Sequence, residues 1–94
     1  MLQELFLIIQ DRKQRRPSGS YTWELMEAGE DSMLQKIGEE AVEVILAGKG
    51  QGKARLVEEI ADLFYHTLVL ISASDLTLED VEEELRQRHL QKSS

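Results

Sequence analysis

The chain has 94 residues, a net charge of −7 and no cysteine. One domain is the expectation at this length, residues 1–94, and a core this small is often completed by a second copy. The negative charge speaks against a module that grips nucleic acid through its phosphates or docks on anionic lipid. Without cysteine, disulfides, thiolate zinc sites and cysteine nucleophiles are excluded. The start lacks a basic, then apolar, leader pattern. The longest apolar stretch, Leu63 to Ala73, is interrupted by His66 and too short to span a bilayer. A cytoplasmic protein without membrane contact is therefore expected.

Five segments read as helix. Leu2, Leu5, Phe6 and Ile9 fall at helical spacing over about Leu2 to Arg15. This segment closes on Arg12-Lys13-Gln14-Arg15-Arg16, which suits the negative end of a helix, and Pro17 breaks it. Ser18-Gly19-Ser20-Tyr21 reads as a loop, with Thr22 as the expected cap of a short helix stopping at Gly29. Ser32 with Gln35 forms a capping-box pattern that predicts a helix to about Ala47, with Gly48 as its C-cap and a glycine-rich turn to Gly52. A fourth helix is expected from about Ala54 to Ala73. Thr77 with Asp80 predicts a last cap, followed by Leu78, Val81 and Leu85 on one face. After His89 the tail is expected to fray. No strand-like alternation occurs, so the predicted fold is all-α: a bundle of four to five helices.

Two acidic clusters stand out, Glu39-Glu40-x-x-Glu43 and Glu59-x-x-Asp62. At about 100° per residue, Glu43, Lys36 and Glu40 fall within about 100° of Glu39, and apolar residues wrap most of the remaining circumference. A wedge that narrow is expected to face something enclosed. The following helix gathers Arg55, Glu58, Glu59, Asp62 and His66 in the same way. Glu43 pairs with Glu59, and Glu40 with Asp62, symmetrically about Gln51. An antiparallel hairpin turning at Gln51 therefore brings both clusters to matching heights. Carboxylates converging in this way repel unless a cation joins them. Mg²⁺, with Mn²⁺ as a substitute, takes such hard oxygen ligands together with phosphate oxygens. A carboxylate-bridged di-iron bundle would need Glu-x-x-His, which is missing.

Lys36 shares the acidic wedge, either neutralising it or reaching a substrate phosphate. Arg12, Lys13, Arg15 and Arg16, followed by Ser18 to Thr22, read equally as a phosphate grip or as a helix end and its linker. His66, one turn beyond Asp62, is expected to hydrogen-bond that carboxylate rather than act as a base. Lys49, Lys53 and Arg55 read as surface charges, as do His89 and Glu82-Glu83-Glu84. Tyr65, Trp23 and Phe6 read as packing residues.

Three stretches, Ser20-Tyr21-Thr22, Lys36-Ile-Gly-Glu39-Glu40-Ala-Val-Glu43-Val and Glu59-Ile-Ala-Asp62-Leu-Phe-Tyr65-His66, resemble the phosphoribosyl-ATP pyrophosphohydrolases. These are members of the MazG-like all-α nucleotide pyrophosphohydrolases. The carboxylate motifs are common to the superfamily, whereas Ser20-Tyr21-Thr22 and Tyr65-His66 point to the histidine-pathway member. The resemblance implies hydrolysis of phosphoribosyl-ATP to phosphoribosyl-AMP and pyrophosphate. It implies Glu40, Glu43, Glu59 and Asp62 as Mg²⁺ ligands, Glu39 as the residue that orients or deprotonates water, and Lys36 as a phosphate contact. Arg12, Lys13, Ser20, Tyr21, Thr22 and His66 would help position a small phosphorylated nucleotide. An intertwined homodimer is implied as well. Two alternatives remain open at this point: a MazG-like enzyme for a non-canonical or deoxynucleoside triphosphate, and a non-enzymatic acidic helical module.

Overall fold

The computed structural model describes residues 1–90. It contains five α-helices in chain order: α1 Leu2–Arg15, α2 Tyr21–Glu27, α3 Glu30–Gly50, α4 Lys53–Ala73 and α5 Leu78–Leu85. A wider π-type turn, Arg86–Leu90, extends α5. No strand occurs among the described residues, as the all-α reading expects. No described helix is long and apolar enough to cross a membrane. The expected fraying after His89 falls largely on residues 91–94, outside the described residues.

The helix ends show where local chemistry acts and where tertiary structure overrides it. Arg16 precedes Pro17, whose ring disfavours right-handed helix in the residue before it. Arg16 accordingly turns left-handed, at φ 51°, and its N–H bonds to the Arg12 carbonyl at 3.0 Å. Ser20, not the expected Thr22, caps α2: its hydroxyl oxygen accepts from the Trp23 N–H at 3.2 Å. Thr22 lies two positions inside the helix and is buried. The expected box of Ser32 and Gln35 is not used. Gly29, at φ 103°, turns the chain so tightly that α3 begins at Glu30, with Glu30 and Asp31 against its positive end.

The helix α3 also continues through Gly48 to Gly50, past its expected end at Ala47. A Cβ on Gly48 would meet Leu56 Cδ1 at 3.7 Å, an ordinary contact, so the continuation is not forced by space. Gly52 is the residue that makes the turn, at φ 90°, and α4 starts directly after it. The Thr77 cap is formed as expected. Its hydroxyl accepts from the Asp80 N–H at 3.1 Å, and the Asp80 carboxylate accepts from the Thr77 N–H at 2.8 Å.

The antiparallel pair α3–α4 makes the most extensive helix–helix interface. The buried apolar cluster, however, lies toward one end of that hairpin. Phe6 and Ile9 of α1, Leu25 of α2, Met33 of α3, Leu68, Val69 and Ile71 of α4 and Leu78 of α5 form it. Toward the turn the hairpin loses this cover, and Val42, Ile45, Leu46 and Val57 are exposed. Lys13 pins α1 to the covered end. Its ammonium donates to the Ser72 carbonyl and to Asp75 Oδ1, each at 2.7 Å. This places a cation at the negative end of α4 and holds the Asp75 carboxyl below its ordinary range, through the hydrogen bond and the charge.

Ile9 is fully enclosed, with no exposed surface. Replacing Ile9 with Ala should therefore cost about 3 kcal/mol of unfolding free energy. Thr77→Ala, which removes one exposed capping box, should cost about 1 kcal/mol. Urea titration at fixed protein concentration measures both, and equal losses would contradict this placement of the core.

Candidate active site

The polar wedges of α3 and α4 face each other across an open cleft of about 490 Å³, lined by Lys36, Glu39, Glu40, Glu43, Arg55, Glu59 and Asp62. On α3 the spacing of three and four residues stacks Lys36, Glu39, Glu40 and Glu43 along one face. On α4 the same spacing aligns Arg55, Glu59, Asp62 and His66. The expected register about Gln51 is realised: one oxygen each from Glu40, Glu59 and Asp62 lies within 4.8 Å of the others. Glu43 lines the cleft but is not one of these three. Glu39 sits at the rim, its side chain 51% exposed, while that of Glu40 is 13% exposed and Glu59 as a residue only 4%.

The electrostatics follow from that convergence. Burial pushes the Glu59 carboxyl above its ordinary range; Arg55 opposes the shift, while Asp62, Glu40 and Glu43 reinforce it. Arg55 Nη2 lies 3.1 Å from Glu59 Oε1. Lys36 Nζ lies 3.7 Å from Glu39 Oε1 and 3.6 Å from Glu40 Oε1. Burial favours the neutral form of Lys36, but attraction to Tyr21, Glu39 and Glu40 outweighs it and lifts the pKa above the ordinary lysine value. Lys36 is thus a fixed cation beside the carboxylates.

The donor set suits a hard divalent cation. Glu40, Glu59 and Asp62 offer carboxylate oxygens only, which is the chemistry of Mg²⁺ or Mn²⁺ rather than of a softer metal. Two monovalent side chains, Lys36 and Arg55, stand against five carboxylates, so negative charge is left in excess.

Beside the cleft, Tyr21, Thr22, Tyr65 and His66 form a second, less charged cluster. The His66 Nδ1 lies 2.8 Å from the Asp62 backbone oxygen. A carbonyl only accepts, so Nδ1 carries the hydrogen. The Tyr21 hydroxyl lies 3.4 Å from the other ring nitrogen, Nε2. His66 thus bonds the Asp62 main chain, not the carboxylate as expected from the sequence. The Thr22 hydroxyl shares a hydrogen bond with the Tyr65 hydroxyl. Burial, opposed by that bond, raises the Tyr65 pKa and keeps the phenol neutral. Tyr65 therefore does more than pack.

The structure gathers Lys36, Glu39, Glu40, Glu43, Glu59 and Asp62 into one cleft, with Tyr21 and His66 adjoining. Three residues expected to help position the substrate do not line this cleft. Lys13 is engaged at the end of α4. Arg12 pairs with Asp11 at 2.5 Å, and with Arg15 and Ser20 it borders a separate depression. Ser20 serves as a helix cap. Arg55, read from the sequence as a surface charge, proves to be the counter-ion of Glu59. Its position four residues before Glu59, in the same helical wedge, was the available signal.

Comparison with known proteins bears on this arrangement. The sequence model of the family described as "Phosphoribosyl-ATP pyrophosphohydrolase" matches residues 2–89. A "Phosphoribosyl-ATP pyrophosphatase" of Pelotomaculum thermopropionicum is 52% identical over 93 residues, covering 99% of this chain and 95% of that protein. A protein of the same name from Saccharolobus solfataricus is 44% identical over 88 residues, 94% of each chain. The "Histidine biosynthesis bifunctional protein HisIE" of Oceanobacillus iheyensis is 46% identical over 84 residues, 89% of this chain and 39% of that one.

The raised Glu59 pKa has a defined consequence for stability. Its favourable contribution to the metal-free fold is present below the ordinary carboxylate value of 4.5 and is lost as pH rises through the raised folded value. Glu59→Gln should therefore melt with the wild type near pH 4.5 and above it at neutral pH, when both are free of divalent cations. A neutral-pH variant that melts lower than wild type would contradict the repulsion described.

Proposed function

We propose, from the premise that this chain belongs to the phosphoribosyl-ATP pyrophosphohydrolase family, that it hydrolyses the α–β phosphoanhydride of phosphoribosyl-ATP. The products are phosphoribosyl-AMP and pyrophosphate, in the second step of histidine biosynthesis. The observation that carries this reading is the convergence of Glu40, Glu59 and Asp62 on one point of the cleft. These three would hold Mg²⁺, or Mn²⁺ in its place, with Glu43 as a further ligand from the same cleft wall. The bound cation would offset the charge of the polyphosphate and make the α-phosphorus more electrophilic.

The remaining residues take roles set by their positions. Lys36, charged and beside Glu40, neutralises the departing pyrophosphate. Glu39 stands at the rim, with its second oxygen accepting from Gln35 at 3.3 Å, where water has access. It orients that water and takes its proton as the new P–O bond forms and the α–β bridging bond breaks. The pyrophosphate leaves with the bonding electron pair. His66 is a poor candidate for this base, because Nδ1 donates to a carbonyl and Nε2 is already engaged with the Tyr21 hydroxyl. Its role is to hold the turn of α4 that carries Asp62. The setting we infer is the cytoplasm.

A second copy of the chain completes this unit. The accessible surface is 6669 Å², against about 5,500 Å² for a typical folded monomer of this mass. The surplus of about 1,100 Å² is of the order of one partner's share of a standard interface. Exposed Leu34, Val42 and Ile45 of α3 and Val57 and Phe64 of α4 supply an apolar face for it.

Purified protein with Mg²⁺ should release pyrophosphate from phosphoribosyl-ATP, and Glu40→Gln or Asp62→Asn should each lower kcat at least ~100-fold with the helical circular dichroism retained. A folded wild type that prefers a deoxynucleoside triphosphate would overturn the substrate assignment. Val42→Glu with Ile45→Glu should convert the dimer to monomer in sedimentation equilibrium. A wild type that sediments as a monomer would remove the second copy.

A further inference from the structure

The charged groups of the cleft account for phosphates and a cation, but none of them recognises a heterocycle. The adjoining cluster has the properties they lack. Tyr21 is 51% exposed, and its ring is fixed from several sides. Its backbone begins α2, directly after the Ser20 cap. One face lies against Tyr65, with ring centroids 6.2 Å apart and planes 17° from parallel. The His66 ring stands edge-on to it, at 6.3 Å and 86°, with Nε2 3.4 Å from its hydroxyl. Tyr65 is held in turn by Thr22 and, edge-on, by His66 at 5.2 Å. The exposed half of Tyr21 is thus a rigid aromatic surface, whose ordering cost is met on folding rather than on binding.

Its location matches that property. His66 follows Asp62 by four residues, about one helical turn or ~5.4 Å along α4. Through His66 the ring is therefore held next to the turn of α4 that carries Asp62, at the edge of the carboxylate cleft. We propose that the open face of Tyr21 is the stacking platform for the purine base of the nucleotide, backed by Tyr65 and anchored at its hydroxyl by His66. The proposal rests on the reading of the cleft as a nucleotide phosphoanhydride site. It adds a division of labour: carboxylates, Lys36 and cation for the phosphates, and an aromatic pair for the base. Stacking tolerates ring substitution better than edge-on hydrogen bonding does. A base carrying a ribosyl group on its ring nitrogen would therefore still be accepted.

Calorimetry on the full chain with Mg²⁺ tests this, using three probes: AMP, ribose 5-phosphate and inorganic pyrophosphate. Wild type should bind AMP at least ~10-fold more tightly than ribose 5-phosphate, the difference being the base. Tyr21→Ala should erase that preference while leaving pyrophosphate affinity within about twofold. Tyr21→Phe, which keeps the ring, should retain most of the preference. Tyr21→Leu serves the same comparison if the alanine variant does not fold. In turnover, the alanine variant should raise KM far more than it lowers kcat. A wild type with no preference for AMP, a Tyr21→Ala variant that keeps it, or a Tyr21→Phe variant that loses as much as Tyr21→Ala would each overturn the platform. Equal loss of pyrophosphate affinity would overturn it as well, since that marks a general collapse of the cleft. Failure of wild type to cleave phosphoribosyl-ATP would instead remove the assigned reaction and leave the AMP comparison to decide the platform.

Discussion

Three carboxylate oxygens within 4.8 Å of one another repel, and one of the three residues, Glu59, is almost fully buried. The fold has to hold them together without a protein cation at their centre. It does so by placing them on two long helices whose register is set by a two-residue link at Gln51 and Gly52. Neither helix can slide to relieve the repulsion without moving its apolar face out of contact. Lys36 and Arg55 soften it from either side, each on the same helix as its carboxylate partner. Concentrating like charge at a functional site lowers stability there, and the surrounding structure compensates.

The compensation is spatially separate. The apolar core gathers α1, α2 and α5 around one end of the α3–α4 hairpin. Lys13, bonded to Ser72 and Asp75, ties α1 to that end. The carboxylates project from the braced region toward the turn, where exposed Val42, Ile45 and Val57 leave the hairpin without cover in a single copy. The small helix α2 connects the two regions. Its Leu25 enters the core, while Tyr21 and Thr22 reach His66 and Tyr65 of α4. A short helix with little packing of its own thereby positions the aromatic pair beside the charged cleft.

Much of this was legible in the chain itself. Helical periodicity identified the longer helices, because apolar residues at three- and four-residue spacing have no other regular way to share a face, while the short α2 was read from cap and glycine signals at its ends. The same periodicity placed each acidic cluster in one wedge. Symmetry about Gln51 matched Glu40 with Asp62, since an antiparallel hairpin equates positions equidistant from its turn. The Thr77–Asp80 box was readable because both partners of a cap lie within one turn. The Ser32–Gln35 pattern failed for the complementary reason. A cap motif is permissive, and Gly29 with its positive φ allowed α3 to start earlier.

The sequence by itself determined the helices, the two acidic wedges and their common height, because each depends on residues near one another along the chain. Only the tertiary structure decided which polar side chains join the carboxylates. Arg12 and Lys13 share one basic run with Arg15 and Arg16, yet Lys13 is drawn to the end of α4, Arg12 pairs with its neighbour Asp11, and neither lines the cleft. Arg55, with no such run to mark it, belongs to the cleft. His66 bonds the Asp62 main chain and not its carboxylate. Charge and spacing state what a side chain is able to bind. Which of several partners it meets is set by how helices far apart in sequence pack, and that information is not local.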